Sequence, residues 1–351
     1  MAIQQLATLW TPDVWIPGIA EKQATFPSLF NSKAVTRTNL LTELASGEGT
    51  KANVPFLKDI TDQANEVQIE HTAPTTINGA PGDVCKFPIL NRVTKNAWTA
   101  MAKNVSGADI MDHVFGTMGQ RCLKQYQTTL IAMARGLFGS AGAINAAGAL
   151  TDVRYGGTTG EVFSETGLAA PDAALMSPDL FIDTCALLGE LEDTLKTGAI
   201  FIHPTVLARL KKLDVNGFKT TVMPSELPFT IRTYRDVPIF TSTALRRAGT
   251  TNGFVYDTYI FAENSIGFGE KPQVADKSDL ASLAYFFDRD LNDDLIWDRR
   301  RISFGLDGTA FDDSSLGASS ATDAELQTAA KWSLKYQSAN RVGAACIRTN
   351  G

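Results

Sequence analysis

Between Ser106 and Phe138, apolar residues recur at Met111, Phe115, Met118, Cys122, Tyr126, Leu130, Met133 and Leu137. Steps of four or three keep them on one stripe of an α-helix. Ser106 with Asp109 three residues on resembles a capping box, aspartate standing for the usual glutamate, and marks the start. A continuous helix over this stretch is on the order of 45 Å long. Asp109, Asp112, Arg121, Lys124 and Arg135 break every apolar window, which excludes a membrane span. Gly116, Gly119 and Gly136, and heptads that do not persist, disfavour a dimeric coiled coil. What remains is a beam across which other elements are laid, its glycines being expected points of close packing.

Upstream, Leu6, Leu9, Trp10, Val14, Trp15 and Ile16 alternate without period among Pro12, Pro17 and Pro27. That pattern predicts an extended arm with short helical pieces, lying along its own or a neighbour's surface. Strand-like runs follow at Thr50 to Leu57, Val67 to His71 and Cys85 to Val93, with Asn78-Gly79 and Pro81-Gly82 as turn signals between the last two. They predict a long hairpin that needs a partner surface, because a two-stranded ribbon is marginal alone. Beyond the helix, Gly139 to Ser177 reads as an irregular connection. Ser177-Pro178-Asp179 opens a second helix, ended by Gly198. A βα texture then runs to Leu283: a strand at Ala199 to His203, a helix at Pro204 to Leu213, and short strands at Phe229 to Tyr234, Val237 to Ser242, Gly253 to Phe261 and Ser265 to Gly269. Residues 177–283 therefore read as a compact α+β unit. The remainder predicts a strand at Ile296 to Phe304, a helix from Thr322 to Tyr336 with a Thr322/Glu325 capping box, and a last strand at Val342 to Arg348.

Composition adds mainly exclusions. With 351 residues and a net charge of −6, the chain has room for two ordinary domains and does not fit tight general nucleic-acid binding. Met1 to Trp10 carries no charge, so no cleaved leader is expected and folding is assigned to the cytosol. Cys85, Cys122, Cys185 and Cys346 are widely spaced, with no CxxC pair, and read as buried free thiols.

Candidate chemistry is sparse. Asp288 to Asp294 begins like an EF-hand loop but has Asp293 at the sixth position and Arg299 at the twelfth, where glycine and a bidentate glutamate are required. It reads as a solvated or intersubunit acidic face. Gly267-x-Gly269-x-x-Pro272 lacks the third glycine of a dinucleotide fingerprint. There is no phosphate-binding GxxxxGK[ST] and no GxSxG elbow. His71, His113 and His203 lie in three different predicted elements, so a triad would have to assemble in space. No catalytic, cofactor-binding or metal-binding residue is assigned. Arg299, Arg300 and Arg301 lie in a strand pattern and serve two faces. Two readings stay open for them: ordinary surface charge, or pairing with carboxylates of a neighbouring subunit.

The order of parts resembles the major capsid protein family of tailed bacteriophages, an icosahedral coat fold shared with encapsulins and the herpesvirus capsid floor. Particular stretches also resemble it: Gly49-Thr50 leading to Asn53-Val54-Pro55-Phe56, then Asn96-Ala97-Trp98, Ser106-Gly107-Ala108-Asp109, Ala324-Glu325-Leu326 and Trp332. The resemblance implies an α+β fold in four parts: an N-terminal arm (1–47), an extended β-hairpin loop (48–96), a peripheral domain (97–176 and 284–351) with its spine helix at 106–138, and an inserted axial domain (177–283). It implies a non-enzymatic coat protein that self-assembles through hexamers and pentamers into a virion shell around double-stranded DNA, built in the host bacterial cytoplasm. No cofactor and no membrane are implied. Implied partners are further copies of the chain, a separate scaffolding protein, a portal and, optionally, decoration proteins, with only weak non-specific DNA contact. Some relatives cross-link through Lys and Asn; Lys51, Lys58 and Lys86 lie in the loop region, and none is singled out. The alternatives are an encapsulin-type compartment and, from another class, a two-domain cytosolic hydrolase.

Overall fold

The computed structural model describes residues 12–25, 29–47, 49–57, 82–99, 110–139, 151–153, 175–189, 191–192, 195, 198–214, 216–221, 231–248, 254–275, 279–288, 293–336 and 339–350. The expected cap at Ser106 to Asp109, the strand at Val67 to His71, the turn at Asn78-Gly79 and most of the 139–177 connection lie outside them.

In chain order the elements are α1 (Pro12–Thr25), β1 (Val35–Arg37), α2 (Asn39–Ser46), β2 (Lys51–Leu57), β3 (Gly82–Thr99), α3 (Ile110–Leu137) and β4 (Thr151–Val153). Then come α4 (Pro178–Ala186), β5 (Ala199–Ile202), α5 (Pro204–Leu213), β6 (Phe218–Thr221), β7 (Ile231–Tyr234), β8 (Val237–Thr241), β9 (Arg246–Ala248) and β10 (Phe254–Phe261). The chain closes with β11 (Ile266–Glu270), β12 (Leu283–Asp288), β13 (Asp293–Leu306), β14 (Thr309–Phe311), α6 (Asp323–Leu326), β15 (Trp332–Leu334) and β16 (Ala344–Thr349).

Two eight-stranded sheets organise these parts. The first runs β1-β11-β13-β3-β14-β15, with β12 also paired to β13 and β2 to β3. The second runs β4-β16-β10-β5-β8-β7-β6, with β9 also on β10. The spine α3 packs on both. Phe115, Met118, Cys122, Tyr126, Leu130, Met133 and Leu137 of its expected stripe are all buried. Its second half is enclosed on further sides, since Ile131, Ala132 and Ala134 are buried too. That is how a helix in a core, not on a surface, behaves.

Of the expected arm, the described α1 lies on its own chain. Trp15 of α1 is fully buried, edge-on to Phe115 at 4.8 Å, and it joins Ile19, Val114, Met118, Leu283 and Ile296 in a small core of their own. Thr38 caps α2, whose Leu41 and Ala45 face β11. A Cβ on Gly269 would overlap the Leu41 backbone, so this glycine serves close helix–sheet packing.

Three expectations change. β3 runs for 18 residues, Gly82 to Thr99, well beyond the strand expected at Cys85 to Val93, and the partner surface expected for it is β2 on one side and β13, from Asp293↔Thr99 to Ser303↔Ile89, on the other. Its alternation was legible, but a partner some 200 residues away leaves no local signal. The helix from Ser177 stops at Ala186, well short of Gly198. The helix expected from Thr322 to Tyr336 is one turn, Asp323 to Leu326, before a 3-10 turn and β15. Its capping box is present, yet Trp332 pairs in the sheet opposite Phe311 and overrides helical propensity. The last strand takes an inner position of the second sheet, between β4 and β10.

Candidate functional site

The chemistry-bearing side chains that the sequence singles out are scattered and mostly structural. His203 ends β5 and caps α5, its Nδ1 accepting from the Thr205 N–H at 3.2 Å, with its ring 4.8 Å from that of Tyr256. Burial, then the charge of Arg246, lowers its pKa and favours the neutral ring that a cap acceptor must be. His113 is exposed on α3, and His71 lies outside the described residues. The four cysteines are free and buried. Burial pushes Cys85 up to about 11 and Cys122, Cys185 and Cys346 up to about 12, so each is a thiol at neutral pH. Asp288 and Asp293 are registered backbone partners where β12 and β13 pair, so the ends of the EF-like run lie in strands where a calcium loop would be flanked by helices. Among the described residues no three His, Cys, Asp or Glu side chains converge as a metal site, and no helix is long and apolar enough to cross a membrane.

The arginine triplet corrects both readings offered for it. Arg300 and Arg301 alternate to opposite faces of β13 as a strand requires, but both are buried and both are satisfied within the chain. Arg300 Nε binds Asp298 Oδ1 and Oδ2 at 2.9 and 3.1 Å, and its Nη1 donates to Glu270 Oε1 at 2.9 Å and Tyr126 Oη at 3.2 Å. Tyr126 in turn donates to Glu270 at 2.6 Å. This node ties the spine to β11 and β13. Arg301 works on the other face. Its Nε donates to the Ala45 carbonyl at 2.7 Å, and Nη2 donates to those of Gly47 and Gly49, both at 2.8 Å. The first two are carbonyls at the end of α2, where a helix leaves acceptors free and a cation is favoured, and the third lies just beyond it. Arg299 lies 5.0 Å over the ring of Trp297.

The guanidinium of Arg301 thus fixes the connection between α2 and β2. A second clamp sits beside it. Thr50 Oγ1 donates to Asp313 Oδ2 at 2.6 Å, and Lys51 Nζ pairs with Asp313 Oδ1 at 2.8 Å. These contacts pull Asp313 below its ordinary pKa. The entry to β2 is thereby tied to the segment after β14.

A third node joins the spine to the second sheet, and sequence reasoning missed it. Asp257 is fully buried on β10. Arg348 Nε pairs with its Oδ1 at 3.0 Å while Arg348 Nη2 donates to the Phe138 carbonyl, at the spine's end, at 2.8 Å. Arg135 and Arg247 approach Oδ2 at 3.5 and 3.7 Å. The signal available was weak: a single acid and a single arginine, each inside an otherwise apolar strand.

The spine glycines divide. A Cβ at Gly116 would meet nothing within 4 Å, so the expectation of close packing fails there. At Gly119 it would lie 3.4 to 3.5 Å from Gln23 and Ile19 of α1, an actual helix crossing. At Gly136 it would overlap the Leu326 carbonyl oxygen and sit 2.7 Å from Trp332 Nε1.

No protein-family model and no curated protein matches the sequence. Solved structures do match in fold. One described as the capsid of Ralstonia phage GP4 superposes with a TM-score of 0.59 at 8% identity, covering 92% of this chain and 91% of that one. The cyanophage Pam1 capsid asymmetric unit follows at TM-score 0.50 and 12% identity, covering 93% of each chain. The chain has the α+β fold of the tailed-bacteriophage major capsid proteins.

Proposed function

We propose that this chain is the coat subunit of an icosahedral shell around a double-stranded DNA phage genome, and that it is not an enzyme. The observation that carries the reading is the fold likeness over more than nine tenths of both chains to a phage capsid subunit. The nodes described above support it. Arg301 and Asp313 hold the loop's root, while Arg300 and Asp257 hold the spine to the two sheets. In this reading the loop that follows β2 meets neighbouring copies and gains buried apolar area only on assembly, whereas α1 already buries Trp15 and Ile19 within the chain. The side chains that a hydrolase would need serve elsewhere: His203 is a helix cap and the thiols are protonated.

In this reading residues 1–47 are the arm, 48–96 the extended loop, 97–176 and 284–351 the peripheral domain, and 177–283 the axial domain. Copies associate as hexamers and pentamers, with a separate scaffolding protein and a portal, decoration proteins being optional. DNA contact is weak and non-specific, in keeping with the chain's net charge of −6. The shell belongs to a virion assembled in the bacterial cytoplasm. Electron microscopy of the expressed full chain, alone and co-expressed with a candidate scaffolding protein, tests the proposal. Closed shells, capsomers or regular sheets are expected. A particle that stays monomeric at high concentration in both conditions would overturn it, and shells that form unaided around a protein cargo would move the chain to the encapsulin type.

A further inference from the structure

Charge is unevenly spread along the chain. Residues 201–250 carry eight Lys and Arg against three Asp and Glu, although the protein as a whole is acidic. Residues 177–200, just before them, carry five acids and one lysine. The fold sets the two segments side by side. Phe181 of α4 and Phe218 of β6 pack against Tyr234 at 5.1 and 4.7 Å, and Arg209 Nε of α5 donates to the Met176 carbonyl before α4 at 3.1 Å.

Each helix shows solvent a stripe of its own. On α4 the exposed residues are Asp179, Ile182, Asp183 and Ala186, spaced three or four apart, with Glu192 exposed beyond them. On α5 they include Thr205, Ala208 and Lys212, with Leu213 beside them. Lys211 lies with its ammonium 5.8 Å from the Phe218 ring, near enough to Arg232 that burial and then this like charge lower its pKa. Among the described residues, Lys212, Arg232, Asp179 and Glu192 have no ion-pair partner. Arg235, after β7, is answered within the chain by Asp214 at 3.4 Å, but Lys212 and Arg232 on one surface and Asp179 and Glu192 on the other are left to be answered from outside. Each surface also shows one large aliphatic side chain: Ile182 is 41% exposed and Leu213 52%.

We propose that the acidic α4 stripe of one copy docks on the basic α5–β7 face of a second copy of this chain. The inference rests on the shell reading and names surfaces through which copies meet. Nucleic acid suits the basic face less well. The acidic stripe beside it would repel phosphates, and Ile182 and Leu213 offer a phosphate backbone nothing. A second copy answers every feature at once, carboxylate to cation and aliphatic to aliphatic.

Charge exchange tests this with the full-length chain. One variant carries Lys212→Glu and Arg232→Glu, another Asp179→Lys and Glu192→Lys, and a third all four changes. Because Asp179→Lys removes a first-turn acid from α4, Glu192→Lys is also made alone, and far-UV circular dichroism checks that each variant folds. Association is followed by light scattering and sedimentation velocity at low and high salt. Each two-site variant should associate about ten-fold less readily than the parent. The four-site variant, and an equimolar mixture of the two two-site variants, should return to within about three-fold of it, with salt weakening the recovery. A four-site variant as defective as either parent set, a mixture that does not recover, or two-site variants that behave like the parent would overturn the inference. So would a basic-face variant that associates normally but loses DNA retention. If the parent forms no shells yet the mixed variants pair at low salt, the shell reading falls and this interface stands; normal parental shells with no recovery give the reverse.

Discussion

Alanine at Gly116 and alanine at Gly136 should shift stability in opposite directions, although both glycines lie in one helix and the added atom is the same. At Gly116 the new methyl enters open space, so the change is dominated by helix propensity, a gain of about 1 kcal/mol. At Gly136 the methyl would land on the Leu326 carbonyl oxygen, which accepts the Trp332 indole N–H at 2.8 Å. Leu326 is fully buried and Trp332 nearly so, which leaves the indole little room to retreat. Overpacking of this kind costs roughly 1–3 kcal/mol, and losing the buried hydrogen bond about 1 more. Against the propensity gain, the net loss is about 1–3 kcal/mol, and the two variants should differ by about 2–4 kcal/mol. Gly119→Ala, at 3.4 to 3.5 Å from α1, should fall between them. Urea unfolding of the unassembled chain, followed by far-UV circular dichroism, reads this directly. At a slope of about 3 kcal/mol per molar, the midpoints of the two variants should lie about 1 M apart. Equal midpoints, or a Gly136→Ala chain as stable as Gly116→Ala, would refute the packing argument.

Two further outcomes follow from buried charge. Burial holds Asp307 up to about 6, so the folded chain prefers its protonated form; the charged form costs stability above pH 6, and that cost fades as pH falls toward the ordinary carboxylate range near 4. Asp307→Asn should therefore be about 1–3 kcal/mol more stable at pH 8 and match the parent near pH 4, and equal urea midpoints at pH 8 would count against the buried charge. Arg300→Met removes the partner of Asp298 and Glu270 and should cost about 3–5 kcal/mol, with Arg300→Lys recovering little because lysine lacks the fork; a Met variant with the parent's unfolding midpoint would show that the node contributes no stability.

What the sequence made legible was local. The stripe from Phe115 to Leu137, the Ser177 and Thr322 caps and the strand at Val237 each rest on neighbours a few residues apart, and each is present. What it hid depends on distant partners. Trp332 looks like one more apolar position of a helix until Phe311 pairs with it. Arg300 and Arg301 look like surface charge because, Asp298 apart, the groups that hold them, Glu270 for the first and the carbonyls of Ala45, Gly47 and Gly49 for the second, are 30 to 256 residues away. The glycines of the spine show the same limit. Periodicity places Gly116 and Gly136 on one helix but cannot say which meets another backbone.

The inner position of β16 also has a consequence for biosynthesis. Residues 344–349 hydrogen-bond to β10 along six registered positions, so the second sheet lacks an inner strand until synthesis has passed this segment. A chain grown only as far as β15 exposes the edge of β10, and Asp257 waits there without Arg348. Completion of the second sheet thus comes after every other strand of both sheets has been made, and a protein truncated before residue 344 should be caught by proteolysis or aggregation before it reaches any assembly.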